Sequence, residues 1–237
     1  MVLSLQQNSF VGPIPQEITQ LTKLLTLNIS WNSLSGSIPS SVSNLANLQF
    51  LHLQENNLTG SIPASIGSMN NLIELQLGKN YLSGQIASVP RNLQYSLNLS
   101  HNQFDGPIPN SLSLLSSLQV LDLSYNRFSG PIPNFSFDQS LVTLLLNNNS
   151  LSGVRPKFSS NVVVDTDGNP GLRTLPPDSV PVSVPVFSHR KTRVRVKIAV
   201  EIGGLLFGGI VGFFAVWRKT RVRVINGHLI ITCNNSN

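Results

Sequence analysis

Cysteine is almost absent from this chain, which has a single one, Cys233, among 237 residues. One thiol excludes an intrachain disulfide and the structural zinc sites that need at least two thiolates. Charged residues are also scarce, at 11% of the chain against 41% apolar residues. So low a charged fraction is unusual for a soluble globular chain, and it directs attention to repeats and long apolar runs.

Acidic residues are nearly missing from the last fifth of the chain. Residues 189–237 hold nine Lys or Arg and one acidic residue (9 − 1 = +8), whereas residues 1–188 hold seven basic and nine acidic residues (7 − 9 = −2). The basic residues flank an apolar run and do not form a patch on a domain. We therefore expect no nucleic-acid partner.

Catalytic motifs are missing as well. The chain has no glycine-rich phosphate loop, no H-R-D catalytic loop and no D-F-G metal site of a protein kinase. Its four histidines, His52, His101, His189 and His228, show no metal-ligand spacing, and we expect the first two on an exposed strand face. The sequence predicts no enzyme activity, no cofactor and no metal site.

What the sequence does have is a repeat. An asparagine followed two positions later by Leu or Phe recurs at intervals of 24, 24, 24, 22, 24 and 23 residues. These asparagines are Asn8, Asn32, Asn56, Asn80, Asn102, Asn126 and Asn149. The clearest copy has Leu48, Leu51, Leu53, Asn56, Leu58, Gly60, Ile62, Pro63 and Ile66. Seven units, the first incomplete, cover residues 1–155.

Alternate leucines in each unit give a short strand with one buried face. A lone unit cannot bury its leucines, whereas stacked units bury them against one another, so the period predicts a solenoid of parallel strands. The asparagine falls where the chain leaves the strand, in a bend whose amides need partners. Its side chain offers both a donor and an acceptor, which predicts an asparagine ladder.

The pattern L-x-x-L-x-L-x-x-N-x-L-x-G-x-I-P resembles the plant-specific leucine-rich repeats of receptor-like kinases and receptor-like proteins. Its Gly-x-Ile-Pro element recurs at Gly36–Pro39, Gly60–Pro63, Gly106–Pro109 and Gly130–Pro133. The resemblance implies a leucine-rich repeat solenoid with a parallel β-sheet on the concave face and 3-10 or irregular segments on the outer face. It also implies a second short extended segment around Gly-x-Ile-Pro.

Two units depart from this pattern. The fourth reads Gly84-Gln-Ile-Ala87 and lacks the proline, and the shorter fifth unit moves the first leucine position to Gln94. We therefore expect an irregular stretch near residues 85–97.

The remainder of the chain is divided by composition. Residues 156–172 resemble the end of a repeat array, residues 173–197 form a Pro/Val-rich linker and basic juxtamembrane segment, and residues 218–237 form a short basic tail.

Residues 198–217 are apolar except for Glu201. Twenty residues of helix span roughly 30 Å, enough to cross a bilayer. Alternation over residues 192–202 leaves a strand as the other interpretation.

The membrane helix would carry Gly204, Gly208 and Gly212 on one face, where a second helix could approach closely. By resemblance the repeats are extracellular and the chain crosses the plasma membrane once. Receptor ectodomains of this kind usually start with a signal peptide and a cysteine-paired cap, whereas Met1 falls inside a repeat. Thirteen residues after Val224 leave no room for a kinase, so we expect an ectodomain fragment with a span.

Residues 222–231 suit a hairpin around Asn226-Gly227.

Function is expected on the concave face. The column before the ladder asparagine reads Trp31, Glu55, Lys79, His101, Tyr125 and Asn148, and neighbouring columns add His52, Gln54, Glu74, Gln76 and Asp122. Exposed aromatic and mixed charged side chains suit the recognition of an extracellular peptide or a partner ectodomain, including a receptor-kinase co-receptor. Asn-x-Ser/Thr glycosylation acceptors stand at Asn28, Asn57, Asn98, Asn134, Asn148 and Asn234.

A second interpretation remains open at this point. The chain would then be a soluble leucine-rich repeat inhibitor or structural binder that resembles polygalacturonase-inhibiting proteins.

Overall fold

The computed structural model describes residues 1–135 and 140–174, together with the strands at 220–225 and 228–233. The chain divides into two compact units, Met1–Pro181 and Val182–Asn237. The proposed span at residues 198–217, with Gly204, Gly208 and Gly212, lies outside the described residues. Within the described ranges, no helix is long and apolar enough to cross a membrane.

Each repeat of the first unit contributes one strand to each of two parallel eight-stranded sheets. The first sheet is formed by β1 (Val2–Ser4), β3 (Thr26–Asn28), β5 (Phe50–His52), β7 (Glu74–Gln76), β9 (Ser96–Asn98), β11 (Val120–Asp122), β13 (Thr143–Leu145) and β15 (Val163–Asp165). Its register pairs each central leucine with the next, as Leu51 with Leu75. The parallel solenoid sheet is therefore confirmed.

The second sheet follows the Gly-x-Ile-Pro side of the repeats. It is formed by β2 (Val11–Pro13), β4 (Ser33–Ser37), β6 (Asn57–Gly60), β8 (Tyr81–Gly84), β10 (Gln103–Pro107), β12 (Arg127–Gly130), β14 (Ser150–Val154) and β16 (Gly171–Arg173). The glycine of the element has φ between +71° and +87° in seven repeats, a region that glycine enters without a steric penalty. The second extended segment is thus a continuous sheet.

Four repeats continue into a 3-10 helix: Gln16–Gln20, Ser40–Asn44, Ala64–Ser68 and Asn110–Leu114. A proline directly precedes each helix, with φ from −58° to −64°, so its ring fixes the backbone at the entrance. Its carbonyl accepts the first helical hydrogen bond, as Pro39 does from the Val42 N–H at 3.0 Å.

The core between the sheets and the helices holds the leucines of the pattern. Leu48, Leu51, Leu58 and Ile66 are fully buried, and Phe104 and Phe128 stack in the core with their ring centroids 6.2 Å apart. The strand register expected from the sequence is confirmed, because every repeat inserts its apolar positions into the same layer.

The asparagine ladder is also present. The Nδ2 group of Asn56 donates to the carbonyls of Leu53 and Ile29, both at 3.1 Å, and its Oδ1 accepts from the Leu34 N–H at 3.0 Å. One side chain thus joins its own bend to the preceding repeat. Asn80, Asn102, Asn126 and Asn149 make the same three contacts.

The expected irregularity lies in the fourth and fifth units. No 3-10 helix forms between β8 and β9, where Ala87 replaces the proline that opens the other helices. One assignment was wrong: Leu93, not Gln94, fills the first leucine position, since Leu93 is buried and Gln94 is exposed. Leu93 lies four residues before Leu97 instead of three, and the extra residue is accommodated in a bend at Tyr95, directly before β9.

The array extends further than seven repeats, through residues 163–173. The strands β15 and β16 add an eighth pair, with Val164 opposite Leu144 and Leu172 opposite Gly153. Asn169 takes the ladder position there, accepting from the Leu151 N–H at 3.0 Å and donating to the Leu146 carbonyl at 3.0 Å.

In the second unit, strands β17 (Thr220–Ile225) and β18 (His228–Cys233) pair antiparallel, with Ile225 opposite His228. The hairpin expected around residues 226–227 is confirmed by this pairing.

Candidate ligand-binding surface

The outward face of the first sheet carries the residues between the buried leucines. His52 ends β5, Glu74 and Gln76 bound β7, and Asp122 ends β11; all four are partly exposed. Strict strand alternation puts them on the side opposite the core. The structure therefore brings these four candidates onto one face.

The column before the ladder asparagine is not in the strands. Its members lie beyond the strand ends in left-handed backbone, with φ from 52° to 57°, and we call them the bend column: Gln7, Trp31, Glu55, Lys79, His101, Tyr125 and Asn148. The expectation that His101 lies on a strand face was wrong for this reason. Backbone hydrogen bonds between neighbouring repeats continue through the bend, as the Lys79 N–H donates to the Ser100 carbonyl at 2.8 Å. Left-handed backbone is uncommon for residues other than glycine, so the scaffold imposes it here.

Side chains of the bend column contact one another across repeats. Lys79 forms an ion pair with Glu55, and its Nζ lies 5.6 Å from the centre of the Trp31 ring. The His101 and Tyr125 rings stack with centroids 4.1 Å apart. Trp31 is 51% exposed and Tyr125 is 47% exposed. The column thus presents two exposed aromatic rings with a charged pair between them.

A smaller polar cluster lies on β5 and β7. The Nε2 atom of His52 is 3.4 Å from Oε1 of Glu74, and Gln76 donates to the same oxygen at 2.9 Å. The imidazole of His52 lowers the pKa of the Glu74 carboxyl against the opposing effect of burial. The Nε2 atom of His52 is buried and makes no hydrogen bond of good geometry with the described residues, so its approach to Glu74 is a close contact and not a hydrogen bond. Oε1 of Gln54, on the same face, is likewise buried without a partner there.

Burial lowers the pKa of the His101 imidazole, and the Lys79 ammonium acts in the same direction. His101 is therefore neutral at neutral pH, and it offers a flat aromatic surface next to Tyr125.

Aromatic residues that the sequence reasoning missed extend the surface. The rings of Phe50 and Tyr95 stack with centroids 6.4 Å apart, and Phe50 also meets His52 edge-on at 6.3 Å. Tyr81 is 54% exposed and lines an open depression of about 390 Å³ together with Glu55, Lys79 and His101. The sequence does contain an indication of the unusual position of Tyr95, namely the extra residue between Leu93 and Leu97. The assignment of the first leucine position to Gln94 concealed it.

Three of the candidate side chains have a structural role. Oδ1 of Asn28 accepts from the N–H and hydroxyl of Ser30, and Asn98 does the same with Ser100. Asp122 makes the equivalent bonds to Ser124, at 3.0 Å and 2.6 Å. Because aspartate cannot carry an N-glycan, this third copy shows that the fold itself accounts for Asn-x-Ser at residues 28 and 98. Asn57, Asn134 and Asn148 are exposed.

We also searched the described residues for groups of metal-ligating side chains. In residues 1–135 and 140–174, no three His, Cys, Asp or Glu side chains are grouped as metal ligands would be. The chemistry available is aromatic stacking, ion pairing and hydrogen bonding, which are the means of molecular recognition.

The repeats match known proteins in both sequence and structure. The Leucine Rich Repeat family model matches residues 23–45, 47–69, 95–115 and 117–137. The solved ectodomain of the receptor kinase GASSHO1/SCHENGEN3 from Arabidopsis thaliana is 38% identical over 73% of this chain, with a TM-score of 0.67. That of the Arabidopsis receptor kinase HAESA is 40% identical over 73%, with a TM-score of 0.66. The array of this chain is thus similar to the leucine-rich repeat ectodomains of plant receptor kinases.

This similarity extends over only part of the larger ectodomains. The chain spans 21% of the GASSHO1/SCHENGEN3 ectodomain and 30% of the HAESA ectodomain. Pollen Receptor Kinase 3 is nearer in size: it is 29% identical over 68% of this chain and 79% of that one, with a TM-score of 0.58. A comparison with curated protein sequences gives no significant match.

Proposed function

We propose that this chain is a recognition module that binds an extracellular peptide or a partner ectodomain through the outward face of its first sheet and the adjoining bend column, without catalysis of its own. The observation that carries the proposal is a pair of contact groups along the bend column. Lys79 contacts Trp31 and Glu55, and His101 stacks on Tyr125. Two exposed rings on an imposed backbone suit recognition, because a side chain whose backbone is already ordered loses less entropy on binding.

The solved relatives support a peptide as the ligand. GASSHO1/SCHENGEN3 was solved with CASPARIAN STRIP INTEGRITY FACTOR 2, and HAESA with the peptide hormone IDA. HAESA was also solved with IDA and the co-receptor SERK1 together. We extend both partner types, a peptide and a receptor-kinase co-receptor, to this chain.

The test of ligand binding uses the full chain and a phage-displayed library of random peptides. Peptides selected on the parent should lose affinity about tenfold or more on Trp31→Ala and on Tyr125→Ala, because buried aromatic anchors carry most interface energy. Leu114→Ala is the matched control, since Leu114 is 78% exposed and belongs to the helix Asn110–Leu114, away from the first sheet. Selected peptides that bind both aromatic variants as well as they bind the parent would exclude this surface.

The proposal includes a single membrane span at residues 198–217, with extracellular repeats and a helix-contact face at Gly204, Gly208 and Gly212. The support is the length of the apolar run and the family's membrane receptors. Expressed in plant cells, the chain should stay in the membrane pellet after carbonate extraction. Energy transfer between labelled copies should fall in Gly208→Ile. Release into the carbonate supernatant would favour the soluble binder.

Glycosylation reports the side of the membrane. We expect glycans at Asn57, Asn134 or Asn148, which are exposed, and an unmodified Asn234 beyond the span. The acceptors Asn28 and Asn98 should be modified least, because Oδ1 of each side chain accepts hydrogen bonds from Ser30 or Ser100 and so fixes the amide group in the turn. Mass spectrometry of tryptic peptides measures each site. A glycan on Asn234 with none in the array would contradict the proposed topology.

A further inference from the structure

Arg155 occupies a position that belongs to a buried isoleucine elsewhere in the array. In the Gly-x-Ile-Pro register, the equivalent residues are Ile14, Ile38, Ile62, Ile86, Ile108 and Ile132, all at most 6% exposed. The seventh repeat instead reads Gly153-Val-Arg155-Pro156, directly after β14. An apolar core position that carries a guanidinium needs a physical reason, because a charged group there must find partners or reach water.

The partners of Arg155 within the described residues do not satisfy its side chain. The guanidinium carbon lies 5.6 Å from the centre of the Phe158 ring, a cation–π contact. Its Nε atom is buried and has no hydrogen-bond partner there. Neither ion pair in the described part of the chain involves Arg155 or Arg173. One donor of the arginine fork is therefore kept away from water without an acceptor.

Arg155 also borders an open depression at the end of the array. The depression has a volume of about 300 Å³, and its lining includes Arg155, Arg173, Thr166, Thr174 and Asp167. Arg173 is held beside Arg155 by the strand pairing, since the Arg155 N–H donates to the Arg173 carbonyl at 2.9 Å. The lining includes two arginines and one aspartate, so its formal charge is 2 − 1 = +1.

We propose that this depression is an oxyanion-binding site, with Arg155 as its principal donor and Arg173 as its second cation. Guanidinium forks match the spacing of oxygen atoms in sulfate, phosphate and carboxylate groups and bind them in two-point contacts. The threonine hydroxyls of the lining supply neutral donors. No member of the bend column is in the lining of the depression. The site adjoins the end of that column, because the Asn148 N–H donates to the Asp167 carbonyl at 2.7 Å.

The alternative is a purely structural role. The aliphatic stem of Arg155 would cover the apolar end of the core and its head would stack on Phe158 without binding any ion. Arg155→Ile separates the two roles, since it restores the residue of the other repeats and preserves the fold under both.

The experiment measures the melting temperature of the full chain in detergent against rising sodium sulfate, at constant ionic strength balanced with sodium chloride. The parent should show a saturable rise in Tm with sulfate, and phosphate and acetate arms distinguish tetrahedral ions from a carboxylate. In Arg155→Ile the saturable rise should disappear, while Tm in chloride stays equal or increases. Arg173→Ala should raise the half-saturating sulfate concentration about tenfold.

Arg127→Ala is the control, because Arg127 is an exposed arginine on β12 that does not line the depression. Sulfate also stabilises proteins non-specifically by exclusion from their surface, and this effect is common to all variants. The proposal is overturned if Arg155→Ile responds to sulfate as the parent does, or if Arg127→Ala loses the response to the same extent. Direct titration calorimetry with sulfate gives the same decision without unfolding.

Discussion

Replacing Leu51 by alanine is expected to lower the free energy of unfolding by about 2–5 kcal/mol, and the same change at Leu121 should cost a similar amount. Both side chains are fully buried, and each central strand position packs against the equivalent leucines of two neighbouring repeats. The alanine leaves a cavity that the rigid stack on either side cannot close, so the loss exceeds the transfer term alone.

Urea unfolding followed by circular dichroism measures this loss. Leu114→Ala is the matched control, since the same atoms are removed from a side chain that is 78% exposed, and its effect should stay within about 0.5 kcal/mol. A Leu51→Ala variant that is as stable as Leu114→Ala would contradict the register of the first sheet.

Replacing Asn56 by alanine is expected to cost about 1–3 kcal/mol through hydrogen bonds alone, because it leaves one buried donor without its acceptor. That donor is the Leu34 N–H. The carbonyls of Ile29 and Leu53 each lose one of two side-chain donors and keep Asn32 and Asn80, respectively. Asn56 is only 6% exposed, so water cannot replace the amide without a rearrangement of the bend. Each orphaned buried group costs about 1–3 kcal/mol.

Asn57→Ala provides the control one residue further along. Asn57 is exposed and its side chain makes no hydrogen bond in the described part of the chain, so the same substitution should be nearly neutral there. Protein produced in bacteria avoids any glycan at Asn57. Thermal melts of the two variants decide the matter, and equal melting temperatures would mean that the ladder does not stabilise the bends.

The core was predictable because buried leucines recur with a period of 24 residues, and each repeat places its leucines at equivalent positions in the core. The 24-residue period misleads where the number of residues between two leucines changes. Leu93 lies four residues before Leu97, which led to the assignment of Gln94. The eighth strand pair was missed because it carries Val164 in place of the central leucine, and Asn169 follows Asn149 after 20 residues.

The candidate surface was predictable in its residues but not in its backbone. The residues of the bend column adopt left-handed φ angles, yet only His101 and Asn148 among the six that were singled out are of types enriched in that region. No local preference in Trp31 or Tyr125 indicates such a conformation, because the hydrogen bonds of the stacked repeats impose it. Asp122 was chosen for its charge, and its turn with Ser124 is visible only once the chain is folded.

The bend column sets a pitch that a peptide chain does not share. Neighbouring parallel strands are about 4.8 Å apart, whereas an extended peptide advances about 3.4 Å per residue. The five steps from Trp31 to Asn148 therefore cover roughly 24 Å, the length of about seven ligand residues. Because the two spacings differ, ligand side chains and bend-column side chains align only at intervals. An extended ligand along the column would therefore contact it through a few unevenly spaced residues, and its other residues would fall between neighbouring repeats.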